Sequence, residues 1–341
     1  MNNHKLDLHD QRIGVVIPAY KVEKHIAGVI TTLPQWVKKI IVVNDCSPDA
    51  TSEIVRSITD PRIHLIEHPK NQGVGGAMLS GFQYALQQEL DILVKMDGDG
   101  QMDPNYLPQL IAPILEGKAD YTKGNRFLHP VALQRMPFFR MAGNLALTFM
   151  TKLASGYWNI FDPNNGYLAI SMEKLRAIEP RNIARNYFFE TSMLCELRRL
   201  NAVVEDVAIP AIYKDEKSSM NLPREFFNFL FNLSGRFFKR MFRRYFLYDF
   251  NAASFYIVSG ILLGLFGGIW GIAKWAKSSQ TGIPATTGTV LIAVLPIILA
   301  IQFLVQAVAQ DIADVPTSVR AINDPISENG GWEEYPNFVK L

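Results

Sequence analysis

The sequence predicts an α/β protein: a mostly parallel sheet, then a C-terminal amphipathic interface region and a two-helix transmembrane hairpin. Three observations predict it. Short apolar runs alternate with helix-like segments from Arg12 to about Asn125, a basic and aromatic stretch follows Met220, and two long uncharged stretches follow Asp249. In chain order, "IGVVIP", "KKIIVV", "RIHLIE", "DILVKM" and "ADYTKG" read as strands, with "TSEIVRSI" and "GGAMLSGFQYAL" as helices between them. Three of the strands end in polar clusters, "PAYKVE", "NDCSPDAT" and "DGDGQMD". Ligands of such sheets bind beyond the carboxyl ends of the strands, so these clusters converge on one cleft.

Farther on, "REFFNFLFNLSGRFFKRMFRRYFLYDF" places Arg236, Lys239, Arg240 and Arg243 at helical spacing on one face, with Phe237, Phe238, Met241, Phe242 and Tyr245 roughly opposite. That is the pattern of a basic amphipathic helix lying on anionic head groups. "AASFYIVSGILLGLFGGIWGIA" is uncharged and long enough for a hydrocarbon core, which needs about 20 apolar residues. "TGTVLIAVLPIILAIQFLVQAVAQ" repeats the property up to Asp311, and Pro296 inside it is tolerated in a membrane helix. The alternative is a pair of buried helices in a soluble domain. Six Lys or Arg from Arg224 to Arg244 flank the first span, against Lys274 and Lys277 in the loop, which places the first domain and the tail in the cytoplasm. The expected division is a catalytic domain over 1–220, an interface region over 221–249, two spans within 250–310 (about 252–274 and 287–309) and an exposed tail over 311–341. Glycines at 260, 264, 267, 268 and 271 mark a helix-packing face, and the hairpin offers a surface for a homo-oligomer.

Composition excludes several classes. The 341 residues suffice for a sizeable core, and 34 basic against 32 acidic residues leave no global field for nucleic acid. Cys46 and Cys195 form neither a disulfide framework nor a metal-ligand spacing and read as buried thiols in a reducing compartment. The polar start "MNNHKLDLHDQR" has no secretory h-region. "NQGVGGAMLSGF" fails the dinucleotide fingerprint because Met78 occupies the last glycine position, so it reads as a tight loop opening a helix. The histidines, His129 included, show no ligand spacing.

The stretch "KMDGDGQMDP" crowds Asp97, Asp99 and Asp103 at a strand end. Such carboxylates repel, and a divalent cation with hard oxygen ligands, Mg2+ or Mn2+, compensates them and can hold a diphosphate. An aspartate there also serves to cap the helix beginning near Pro104.

Together, "VVIPAY", "VVNDCSPDAT" and "DGDGQ", in this order and spacing, resemble the inverting nucleotide-sugar glycosyltransferases of the GT-A fold. The chain resembles their polyprenyl-phosphate branch, the dolichyl-phosphate mannose synthases and undecaprenyl-phosphate glycosyltransferases, over roughly residues 12–220. The resemblance implies that Pro18 and Tyr20 line the nucleoside pocket and that Val43 and Asp45 meet the base. It puts Asp97 and Gly98 at the donor, and Asp97, Asp99 and Gln101 around the cation. The family's glutamate two residues after the tyrosine is here Val22, with Glu23 beside it, and Asn44 replaces the first acid of a D-D pair. Arg126 in "KGNRF" matches an arginine near the phosphates, and Asp162 in "FDPNNGYLAI" a carboxylate at the acceptor, although an Asx-turn before Pro163 is its other reading. Glu190 is a second acidic group near the acceptor or a structural ion pair. Lys214 and Lys217 in "YKDEKSSM" form a lid over the diphosphate.

The implied reaction moves one sugar from a UDP-glucose or GDP-mannose type donor to a polyprenyl phosphate at the cytoplasmic membrane face, with inversion. A processive polysaccharide synthase is the alternative, but it brings more spans and a Q-x-x-R-W segment that is missing here. A non-catalytic membrane adaptor is another, opposed by the intact Asp97, Asp99 and Gln101.

Overall fold

A computed structural model describes residues 10–128, 138–210, 222–319, 331–333 and 335. The chain runs β1 (Ile13–Ala19), α1 (Ile26–Thr31), β2 (Val37–Asn44), α2 (Thr51–Ser57), β3 (Ile63–Glu67), α3 (Val74–Ala85), β4 (Ile92–Lys95), α4 (Leu107–Leu115) and β5 (Tyr121–Asn125). It continues through α5 (Phe138–Ser155), β6 (Leu168–Ser171), α6 (Met172–Ala177), α7 (Phe189–Arg199), β7 (Val204–Ala208), α8 (Leu222–Phe242), α9 (Ala252–Thr281) and α10 (Thr287–Ala313). The five expected strands are present, and the sheet adds β6 and β7.

β1, β2 and β4 are apolar on both faces because helices cover both sides, which is what a parallel strand needs. The sheet order is β3-β2-β1-β4-β6-β5-β7. β6 alone runs antiparallel, between β4 and β5, while β5 pairs parallel with β7. Its reversed direction decides where the chemistry gathers: the loop that enters β6, residues 162–167, lies at the same edge as the carboxyl ends of β1, β2, β4, β5 and β7.

The chain divides into two compact units, residues 1–233 with 316–341, and residues 234–315. In the first, part of the tail packs rather than lying exposed. Trp332 donates its indole N–H to the Leu175 carbonyl at 3.1 Å and sets its ring edge-on to Phe82. Tyr335 accepts from Arg185 at its hydroxyl, at 3.1 Å, and is buried. Large rings with one polar tip each gain area here without stranding a donor.

In the second unit, α9 and α10 form an antiparallel hairpin, and both are long and apolar enough to cross a membrane. A Cβ on Gly267 would fall 2.7 Å from the Ala293 carbonyl oxygen, and one on Gly260 3.0 Å from Leu304, so glycine allows the close approach. Gly264 and Gly271 share this seam against Ala300 and Ala293, whereas Gly268 faces open space. The glycine face is therefore used within the hairpin and lends no support to self-association.

One expectation for the basic helix is corrected. Arg240 turns from the proposed membrane face to grip Asp311 of α10, at 2.6 and 2.9 Å, and the Tyr245 hydroxyl donates to the same carboxylate at 2.7 Å. Arg244 pairs with Asp314 in the same bidentate way. From Arg243 to Tyr248 the backbone is π-helical, which rotates side chains off the 3.6-residue face that the spacing assumes.

Candidate active site

Lys95 closes β4 in register between Val16 of β1 and Leu168 of β6. Its buried ammonium meets Asp97 Oδ1 at 2.7 Å, Glu190 Oε1 at 3.3 Å and the Gly166 carbonyl at 3.2 Å. Three hydrogens find three acceptors. Burial pushes Lys95 down, but Asp97 and Glu190 outweigh it and hold the group above the ordinary lysine value. Glu190, in the first turn of α7, is thus a member of an ion-pair cluster and shares Lys95 with Asp97.

Asp99 Oδ1 accepts the Gln101 N–H at 2.9 Å, and Asp103 Oδ1 accepts the Asn105 N–H at 2.9 Å. Asp103 is therefore the cap at Pro104. Gly166 borders Asp97: a Cβ there would come within 2.5 Å of Lys95 Nζ and 2.6 Å of Asp97 Oδ2. Gly98 is less tightly placed, a Cβ there meeting methyl groups of Ile26, Val22 and Ile17 at 3.3 to 3.4 Å. Among the described residues no three His, Cys, Asp or Glu side chains gather as a metal cage. Two carboxylates beside a bare glycine still fit a small cation of the kind completed by substrate phosphates and water.

Arg126 and Asp162, expected to act separately on the phosphates and the acceptor, bind each other. Arg126 Nε donates to Oδ2 at 2.8 Å, Nη2 to Oδ1 at 3.0 Å and the backbone N–H to Oδ2 at 3.2 Å. Asp162 is buried, so its charge needs this partner, and the side chain is neither an Asx-turn nor a free base.

On the other side of β6, Lys123 also aligns with Leu168, but its buried ammonium donates to the Asn165 carbonyl alone. Burial pushes it down to about 8. Nearby Asp206 of β7 accepts from Asn125 at 2.6 Å and from the Phe161 N–H at 2.8 Å through one oxygen, while the other is buried without a hydrogen bond. Burial raises Asp206 to about 6.

At the first two strand ends, Pro18 is half-buried and Tyr20 is 45% exposed with Lys21 over its ring. The Val43 side chain is fully buried toward Gly81 of α3, in a strand covered on both faces, so only its backbone is placed to meet a base. Asp45 is also buried, and its carboxylate takes the N–H groups of Gln72 and Gly73, each at 2.8 Å, and His68 Nδ1 at 2.7 Å. It anchors the glycine turn. His68, whose other nitrogen meets Ser80 Oγ at 2.8 Å, is thus not incidental. The turn needs its glycines, since Gly73 has φ +81° and a Cβ on Gly75 would fall 2.0 Å from the Ala184 carbonyl oxygen. Glu23 accepts the Ala50 N–H at 3.1 Å, at the start of α2. Cys46 is exposed rather than buried, and Cys195 is partly so. Lys214, Lys217 and His129 lie outside the described residues.

Sequence reasoning passes over Lys95, Lys123, His68, Asp206 and Gly166. A lysine inside an otherwise apolar strand, as in "ILVK", is the one signal that points to such a group.

Comparisons with known proteins bear on the family and the fold. The model of glycosyl transferase family 2 matches residues 14–178. A UDP-N-acetylglucosamine–dolichyl-phosphate N-acetylglucosaminyltransferase of Methanococcus voltae is 31% identical over 223 residues, 60% of this chain and 88% of that protein. An undecaprenyl-phosphate mannosyltransferase of Micrococcus luteus is 29% identical over 209 residues, 60% of this chain and 85% of that one. Among solved structures, glucosyl-3-phosphoglycerate synthase from Mycobacterium tuberculosis in complex with UDP superposes with a TM-score of 0.51 at 21% identity, covering 67% of this chain and 83% of that one. This likeness shows the fold, a GT-A arrangement.

Proposed function

Because the chain belongs to glycosyl transferase family 2, we propose that it transfers one sugar from a nucleotide-diphosphate sugar to a polyprenyl phosphate at the cytoplasmic face of a membrane, inverting the anomeric carbon. The observation that carries the reading is the presence in one chain of a carboxylate-bearing strand edge, Asp97 and Asp99, and a hairpin long enough for a bilayer. The names of the Methanococcus and Micrococcus relatives support the acceptor class.

A cation held by Asp97 and Asp99, with Gln101 beside them, would neutralise charge on the departing diphosphate. The remaining work falls to the chain itself. An acceptor phosphate oxygen attacks the anomeric carbon, the bond from that carbon to the diphosphate breaks on the opposite side, and the nucleoside diphosphate leaves with the electron pair. A phosphate monoester, with a second pKa of about 6, is already largely dianionic at neutral pH, so a strong base is superfluous. The Arg126–Asp162 pair is compatible with this: the guanidinium spends its Nε and one Nη on the carboxylate, so Asp162 is held in a fixed, charge-balanced pair at this edge. The polyprenyl tail stays in the bilayer, spanned by α9 and α10, and Arg236, Lys239 and Arg243 attract anionic head groups.

The test uses the full chain in anionic liposomes with labelled UDP-glucose, UDP-N-acetylglucosamine or GDP-mannose, with and without polyprenyl phosphate, in Mn2+, Mg2+ or EDTA. Labelled glycolipid formed only with acceptor and metal is expected. No glycolipid from any donor refutes the transfer, and full activity in EDTA refutes the cation.

A further inference from the structure

We propose that Lys95 is a positioning residue that fixes the donor-side carboxylate Asp97 and the carboxylate Glu190 on α7 through one buried ammonium; this rests on the transferase reading above. The geometry is specific. Lys95 Nζ takes Asp97 Oδ1 and leaves Oδ2 on the side that borders Gly166. It reaches Glu190 at 3.3 Å and ties both to the 162–167 loop through the Gly166 carbonyl at 3.2 Å. Three regions far apart in sequence, the end of β4 with the turn after it, the loop before β6 and the first turn of α7, thereby meet on a single atom.

Two consequences follow. Without the ammonium, the Asp97 and Glu190 carboxylates lose the counter-charge they share, and Asp97 loses the contact that selects which oxygen it offers. Gly166 also acquires a reason, because any side chain there would occupy the space that Lys95 and Asp97 share. Removing an outer partner of a ligating carboxylate typically costs between about 10-fold and about 100-fold in cation affinity.

The experiment is a calorimetric titration of the full chain with Mn2+–UDP and Mn2+–GDP, which needs no lipid acceptor, run beside thermal melts. Wild type, Lys95→Met, Glu190→Gln and the double variant are compared. Lys95→Met is expected to melt lower and bind the metal–nucleotide at least about 10-fold more weakly. Adding Glu190→Gln removes one unbalanced charge and restores much of the melting temperature, while affinity stays about 10-fold below that of Glu190→Gln alone. Equal affinity of the double variant and Glu190→Gln would reduce Lys95 to a counterion and overturn the proposal. Should the double variant fail to fold, Lys95→Gln against wild type decides it on the same titration: a similar loss supports the role and no loss overturns it. Wild type that binds metal–nucleotide but transfers nothing to lipid sinks the transferase reading and leaves this comparison standing, whereas wild type that binds neither nucleotide overturns both.

Discussion

Lys95 and Lys123 flank the same residue, Leu168, from opposite sides of β6, and both are fully buried, yet their surroundings treat the charge in opposite ways. On the β4 side two carboxylates and a carbonyl surround the ammonium, and it is held charged. On the β5 side a single carbonyl accepts from Lys123, and burial brings it to about 8. Asp206, in the same neighbourhood, is displaced the other way, to about 6. The difference teaches that burial by itself says little about a lysine's part in a site. What separates the two ammoniums is the number and the charge of their acceptors.

The sharpest way to break the comparison is Gly166→Ala, which drives a methyl into the space shared by Lys95 and Asp97. Turnover is expected to fall at least about 100-fold, as a displacement of about 1 Å at a reacting site does, with melting changed far less; near-normal turnover would show that the β4 side is not built to tolerance. Lys123→Met should do the reverse of Lys95→Met and raise stability near pH 7 by about 2 kcal/mol, about 3 from the shift less about 1 for the lost hydrogen bond. The sign follows from the depressed folded value: the unfolded chain holds the proton more tightly, so wild-type stability climbs between about 8 and 10.5. The variant's advantage must therefore be full below pH 8 and fade toward pH 10.5. A melting difference independent of pH would contradict the assignment.

Asp206→Asn sharpens the same side. A carboxylate raised from 3.8 to about 6 contributes stability below its unfolded value that is lost as pH rises through its folded one. The variant should gain about 1 kcal/mol at pH 7, about 3 from the charge less about 2 for an unsatisfied amide, and be about 2 kcal/mol less stable than wild type at pH 4, where only the amide cost remains. Melts across pH 4–7 check it. The smallest effect touches neither side of β6: Arg236, Lys239 and Arg243 changed together to glutamine should slow turnover in anionic liposomes a few-fold without moving the melt. Arg240 is left out because its partner is Asp311.

Much of the fold was legible because its signals are local. β1 to β5 announce themselves as apolar runs, the two long helices as uncharged stretches, and the carboxylates at Asp97 and Asp99 by position after a strand. β6, four residues of "LAIS", and β7, "VEDVA", carry no comparable signal, since a short strand is recruited by partners remote in sequence. The same remoteness hid the Arg126–Asp162 pair, 36 residues apart, and the role of His68.

By itself, then, the sequence determined the α/β class, the polar strand ends and the apolar hairpin, because hydrophobic period and charge spacing act over a few neighbours. Only the tertiary structure decided which carboxylates are balanced and by whom, that Val43 turns inward and that Arg240 faces Asp311. Those outcomes depend on which segments the fold brings together, around a strand that runs antiparallel between parallel ones among others, and electrostatic partnership is settled by distance in space, which residue spacing does not encode.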